Sequence, residues 1–315
     1  MTCNVLDFTT TKPWAGAGVD VDSATLATVT EALQLGDLCW NVELCNTFRH
    51  DKQNNLELLA TKAVVRTDID KTLSVVGSEY HAIQNITAFR LLDSLVDAHD
   101  AVIETVGVFG DGQVAWMMLK LPGYVTIDGT STSYEKRLFA SNAHTGKQSF
   151  SIKFLLVDTL DYTILNVPIK NMVDRVYIRH VSTAQEGIRE IKDAVGAANT
   201  YFDAASRILN RFAQYEMAYT DVVGLVYDIL PANKDGVISA AVDNARIMVI
   251  KIFNKIQQTH DNIGSTALCL LHAVCYYADF IRGNSAQSIR FKSSINGTGQ
   301  TFKLKAFDII KRGIL

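Results

Sequence analysis

The sequence predicts an α+β fold: a sheet-rich first half with one or two packed helices, then a mostly helical second half. Three observations predict it. Up to about residue 181, short runs of β-branched and aromatic residues alternate with clusters of Asp, Asn and Gly, a strand-and-turn pattern. From Thr183 onward, apolar residues recur at three- and four-residue steps, a helical period. With 48% hydrophobic residues and only 4 prolines in 315 residues, the chain can bury one large or two modest cores without long linkers. Regions 1–181 and 182–315 are the expected division, and the two can share one core.

The elements follow in order. SATLATVTEALQLG (23–36) predicts a helix running from a Ser23 N-cap to Gly36. Segments 39–49, 56–68 and 72–80 predict strands. In 85–99, Ile86, Phe89, Leu92, Leu95 and Val96 share a helical face. Segments 101–109 and 112–122 flank Gly110-Asp111, a hairpin turn signal. Two further strands flank His144-Thr145-Gly146-Lys147, and DRVYIRHV (174–181) predicts the last strand. In the strand around Phe150 and Phe154, Lys153 points to the opposite face and is expected outside. A long amphipathic helix then carries Ile188, Ile191, Val195, Ala198, Tyr201, Phe202, Ile208, Leu209 and Phe212. Helices are predicted over 217–230, 239–259 and 264–282. A polar connector (284–300) and a short basic helix end the chain.

Composition excludes several classes. The start has no basic region followed by an apolar run, so no signal peptide is expected. The most apolar stretch, TALCLLHAVCYYADFI (266–281), is shorter than the roughly 18–20 residues of a membrane span and carries His272 and Asp279. A cytoplasmic protein with no membrane partner is expected. Five cysteines make no disulfide framework, and none shows zinc-knuckle spacing, so no metal and no cofactor are expected.

The net charge of −3 hides an asymmetry. Residues 1–130 hold 8 Lys+Arg against 17 Asp+Glu, while residues 281–315 hold 7 against Asp308 alone. A basic segment of this kind points to a polyanion, or to the acidic half of a neighbouring subunit.

Several motifs, taken in order, resemble one family. They are Pro13-Trp14-Ala15-Gly16-Ala17-Gly18, Tyr80 with Ile83-Gln84-Asn85, Gly107 with Gly112 and Trp116, and Ser141-Asn142-Ala143-His144-Thr145-Gly146. Arg179-His180, the helix from Thr266 to Phe280, and Gly297, Gly299, Lys303 and Ala306 complete the set. Together they resemble a phage- and plasmid-borne family known as domain of unknown function 932. Alanine stands at position 15 where that family has histidine, and threonine at 145 where it has aspartate. The resemblance implies an early gene product of mobile elements, near recombination and replication functions, with no agreed activity.

Three constellations could carry function. His144 and His180 end strands, where loops often hold catalytic groups. Gly297-Thr298-Gly299 precedes a helix and could meet a phosphate, although no P-loop ending is present. Residues 288–305 interleave Arg290, Phe291, Lys292, Phe302, Lys303 and Lys305, the basic and aromatic mixture that tracks single strands. Lys147 adds a further cation. The leading expectation is an oligomeric, non-catalytic protein that binds single-stranded nucleic acid, chiefly DNA, and assists recombination or replication. One alternative is an enzyme acting on nucleic acid or nucleotides through His144 and His180. Another is an oligomeric structural or host-interaction protein.

Overall fold

The strand-forming runs pair antiparallel throughout. The computed structural model describes residues 11–22, 27–146, 150–172, 174–177, 184–233, 235–283 and 286–314. A seven-stranded sheet runs β1 (Gly18–Asp20), β5 (Val102–Phe109), β6 (Val114–Thr126), β7 (Ser133–Ala143) and β8 (Ser151–Asp158). Both β9 (Ile164–Leu165) and β10 (Arg175–Tyr177) pair with β8. A separate three-stranded sheet orders β2 (Val42–His50), β3 (Leu56–Arg66) and β4 (Lys71–Gly77).

Helix α1 (Val29–Leu35) starts later than the sequence suggests. Its N-cap is Thr28, in a reciprocal capping box with Glu31, which outcompetes an earlier start by satisfying two backbone donors at once. Ser23 lies outside the described residues. The helix expected over 85–99 is α2 (Asn85–Phe89), a 3-10 turn and α3 (Asp93–Asp97). The second half follows as α4 (Ala184–Gln214), α5 (Tyr219–Ile229), α6 (Ala240–Thr259) and α7 (Ala267–Tyr276). A π-helical turn (Tyr277–Ile281) extends α7. The expected polar connector is in fact helix α8 (Gln287–Asn296), followed by α9 (Thr298–Ile314). Phe291 and Ile295 are four residues apart and give α8 an apolar stripe that docks it.

The large sheet is covered on both faces. In β6, Ala115, Met117 and Leu119 enter the main core with α1, α4, α6, α7 and α9, while Trp116 and Met118 enter a second core with Trp14, Phe291 and Ile295. The main core draws on both halves of the chain, from Val21 to Ile310. All ten residues of α7 are buried, so the most apolar stretch of the sequence is the centre of the helical half. Among the described residues, no helix is long and apolar enough to cross a membrane.

This double coverage corrects the reading of Lys153. The side chain does point away from Phe150 and Phe154, but that face lies beneath α8. The ammonium is buried and donates to the Ile295 carbonyl at 2.6 Å, near the C-terminus of α8. Burial lowers the Lys153 pKa to about 7, against the pull of Asp174 at 3.7 Å.

Candidate functional site

His144, at the end of β7, is held in a buried polar knot. Its Nε2–H donates to Asn85 Oδ1 at 3.0 Å, and Asn142 Nδ2 donates to the same oxygen at 3.0 Å. Asn85 Nδ2 donates to the Leu38 carbonyl, which fixes the orientation of its amide. The imidazole also lies 5.3 Å from the Trp40 ring, which the Arg66 guanidinium covers at 4.4 Å. Ser74 Oγ donates to the His144 carbonyl, tying β4 to the end of β7. Burial drops the His144 pKa to about 4, so at neutral pH the ring is an uncharged donor with no exposed surface. This geometry joins the two sheets. His180 and Lys147 lie outside the described residues.

The basic constellation divides. Lys303 is fully buried and cannot reach a surface phosphate: it pairs with Asp279 and donates to the Ile164 carbonyl at 2.8 Å. Asp279 also accepts from Ser294 Oγ and from the Ile164 N–H. Phe291 and Phe302 are buried in the cores and so unavailable for base stacking. Gly297 and Gly299 permit close helix packing instead of cradling an anion. A Cβ on Gly299 would sit 3.1 Å from the Ser293 and Ser294 backbone, and its N–H is already donated to Ser293 Oγ. Arg290 and Lys292, two residues apart on α8, face about 200° apart. Lys292 is exposed over Phe109, and Lys305 is exposed beside the Ile229 carbonyl.

Arg290 instead lines a cavity of about 460 Å³ with Ala278, Arg282, Gly283, Ile289, Ser293 and Thr298. Two guanidinium groups and two hydroxyls converge there, at the N-terminus of the 17-residue α9. Arg282 donates to Thr298 Oγ1 at 3.3 Å, which orients it along the rim. Positive side chains, hydroxyl donors and a positive helix end suit a phosphate group.

A second group of polar residues lies deeper. Asp158 ends β8, and Asp161 sits in the turn that leads to β9. His260 caps the C-terminus of α6, and His272 lies in the middle of α7. Each of the four is at most 1% exposed. One ligand-type atom from each lies within 4.8 Å of the others. His272 Nε2 meets Asp161 Oδ2 at 2.9 Å, while its Nδ1 faces Asp158 Oδ2 at 3.9 Å. His260 Nε2 is 3.6 Å from Asp158 Oδ1. Burial alone would lower the His272 pKa, but Asp161 and Asp158 outweigh it and raise it, so the cluster attracts positive charge.

The family model described as Domain of unknown function (DUF932) matches residues 72–296, which is well over half of the 315-residue chain. The chain belongs to this family. No curated protein and no solved structure matches it.

Most of the family-like motifs are packing devices here. Trp116 pairs with Gly107, and Gly107 with Gly18, so the indole lies across two residues that have no side chain. A Cβ on Gly107 would stand 2.8 Å from the indole and 2.7 Å from the Ala17 carbonyl. The Gln84 side chain bonds both the N–H and the carbonyl of Val42, at 2.9 Å each. Sequence reasoning missed Arg282 as a lining residue and missed the Asp158–His272 cluster altogether. Its signals were two carboxylates three residues apart at the end of an apolar strand, and a histidine within the most apolar segment. Attention to cysteine spacing passed over both. Burial pushes the Cys275 thiol up to about 12 and the Cys269 thiol higher still, so neither acts as a thiolate.

Proposed function

We propose that this family member binds single-stranded nucleic acid through its phosphates, without reading bases, and assists annealing in recombination or replication of a mobile element. The observation that carries the reading is the cavity between Arg282 and Arg290 at the start of α9. Among residues 281–315, the six basic residues other than Lys303 oppose only Asp308. Lys292 and Lys305 are exposed on other faces of the same C-terminal segment and add to its positive charge. No bond-making chemistry is required. Binding by an oligomer in the host cytoplasm would let several such faces share one strand.

Fluorescence anisotropy of a labelled oligo-dT over a salt series tests this. Each phosphate contact contributes a slope of about −0.7 in log K against log salt for single strands, so Arg282→Ala/Arg290→Ala should flatten the slope by about 1.4. Salt-independent binding, or a double variant with unchanged slope, would refute the reading. Competition by free mononucleotide at similar concentration would instead favour a nucleotide pocket, since cavities of roughly 300–1,000 Å³ suit small ligands.

A further inference from the structure

We propose that Asp158, Asp161, His260 and His272 bind one divalent first-row transition-metal ion that clamps helices α6 and α7 to the end of strand β8. The proposal rests first on geometry. One nitrogen of each imidazole is already committed: His272 Nε2 to Asp161 at 2.9 Å, and His260 Nδ1 to Thr259 Oγ1 at 3.1 Å. The other nitrogens both face Asp158, at 3.6 and 3.9 Å from its oxygens. Ligands held about 2.0–2.2 Å from a tetrahedral ion stand roughly 3.3–3.6 Å apart. The four candidate atoms lie within 4.8 Å of one another, so rotamer adjustments of side chains already facing one point close the site. Asp161 either completes the coordination sphere or orients His272 from behind, as carboxylates behind metal-bound imidazoles do.

A second observation points to the same place. Asp158 Oδ2 and His272 Nδ1 belong to side chains that are 0% exposed, yet neither has a hydrogen-bond partner. The Tyr134 hydroxyl, equally buried and on the strand residue paired with Asp158, has none either. Buried polar atoms are almost always satisfied, so three orphans at one spot need a cause.

Charge supplies the third strand of the case. Asp158 and Asp161 bring two carboxylates into the cluster, while the nearest buried lysine, Lys303, is already paired with Asp279. A divalent ion matches two carboxylates in charge. Two imidazoles with carboxylates suit Zn²⁺, Fe²⁺ or Mn²⁺ better than Ca²⁺ or Cu⁺. Because all four side chains are shut away from solvent, the ion has a structural role.

The test uses the full chain, purified without chelator and also unfolded in chelator and refolded with Zn²⁺, Co²⁺ or Mn²⁺ in turn. Metal analysis after desalting should find about one equivalent per chain, with a higher Tm than the chelator-refolded protein. The Co²⁺ form should show visible absorption typical of a four-coordinate site. Asp158→Asn and His260→Gln should lose the metal. Thr259→Val keeps every ligand and should weaken affinity at least tenfold by releasing His260, so it tests the site even where a ligand variant does not fold. The proposal is overturned if wild-type protein refolded with each ion retains none and gains no Tm. It is equally overturned if the Asp158→Asn/His260→Gln double variant keeps full stoichiometry.

Discussion

Lys303→Met separates a buried structural role from a surface role in binding. In the wild type, the Lys303 ammonium neutralises Asp279, both side chains being 0% exposed, and satisfies the Ile164 carbonyl. Removing it strands a carboxylate whose pKa burial already pushes up, leaving only Ser294 Oγ and the Ile164 N–H as donors. Breaking a buried pair from one side destabilises by about 3–5 kcal/mol. For a chain of this size that corresponds to a Tm lower by roughly 5–8 °C. Asp279→Asn/Lys303→Met removes the stranded charge while keeping the Ser294 and Ile164 contacts, so it should recover most of the loss. Thermal and urea unfolding measure both variants. Oligo-dT anisotropy on folded protein should find affinity within about twofold of wild type, since no phosphate contact is lost. A Lys303→Met protein with wild-type Tm and a reduced salt slope would refute the assignment.

Three further outcomes are expected. The folded-state pKa of His144, about 4, lies below its ordinary value of 6.5, so the unfolded chain binds the proton first as pH falls. Stability should therefore drop by about 3 kcal/mol between pH 6.5 and 4 relative to His144→Gln, as read by urea unfolding at stepped pH; parallel curves would count against a buried neutral ring. Gly107→Ala should destabilise by about 1–3 kcal/mol, because its Cβ would meet the Trp116 ring and the Ala17 carbonyl. Gly299→Ala should cost a similar amount by prising α9 from α8, and a neutral result in thermal unfolding would show that the helices can separate freely.

Much of the fold was legible because it depends on local period. The β-branched runs became strands β2 to β8, and the three- and four-residue spacing after Thr183 became α4. The segment 284–300 was misread because Phe291 and Ile295, only two apolar positions among polar ones, suffice to dock a helix when an aromatic core is waiting. The candidate site was less legible. The sequence singles out Arg290 as a cation along a basic strip; the structure sets it in the lining of a cavity together with Arg282, eight residues earlier at the end of a π-helical turn.

By itself, the sequence determined the element order, the acidic start and basic end, and a family whose motifs run through most of the chain. Only the tertiary structure decided which cations meet solvent. Lys153 and Lys303 look like surface lysines because each lies opposite an apolar neighbour, yet α8 and the π-helical turn close over them. Likewise, Asp158, Asp161, His260 and His272 are spread over more than one hundred residues of sequence and meet only when α6 and α7 pack beside the end of β8. Periodicity tells which way a side chain points; what it meets there is set by contacts between residues far apart in the chain, and those contacts decide whether a charge is solvated, paired or held for an ion.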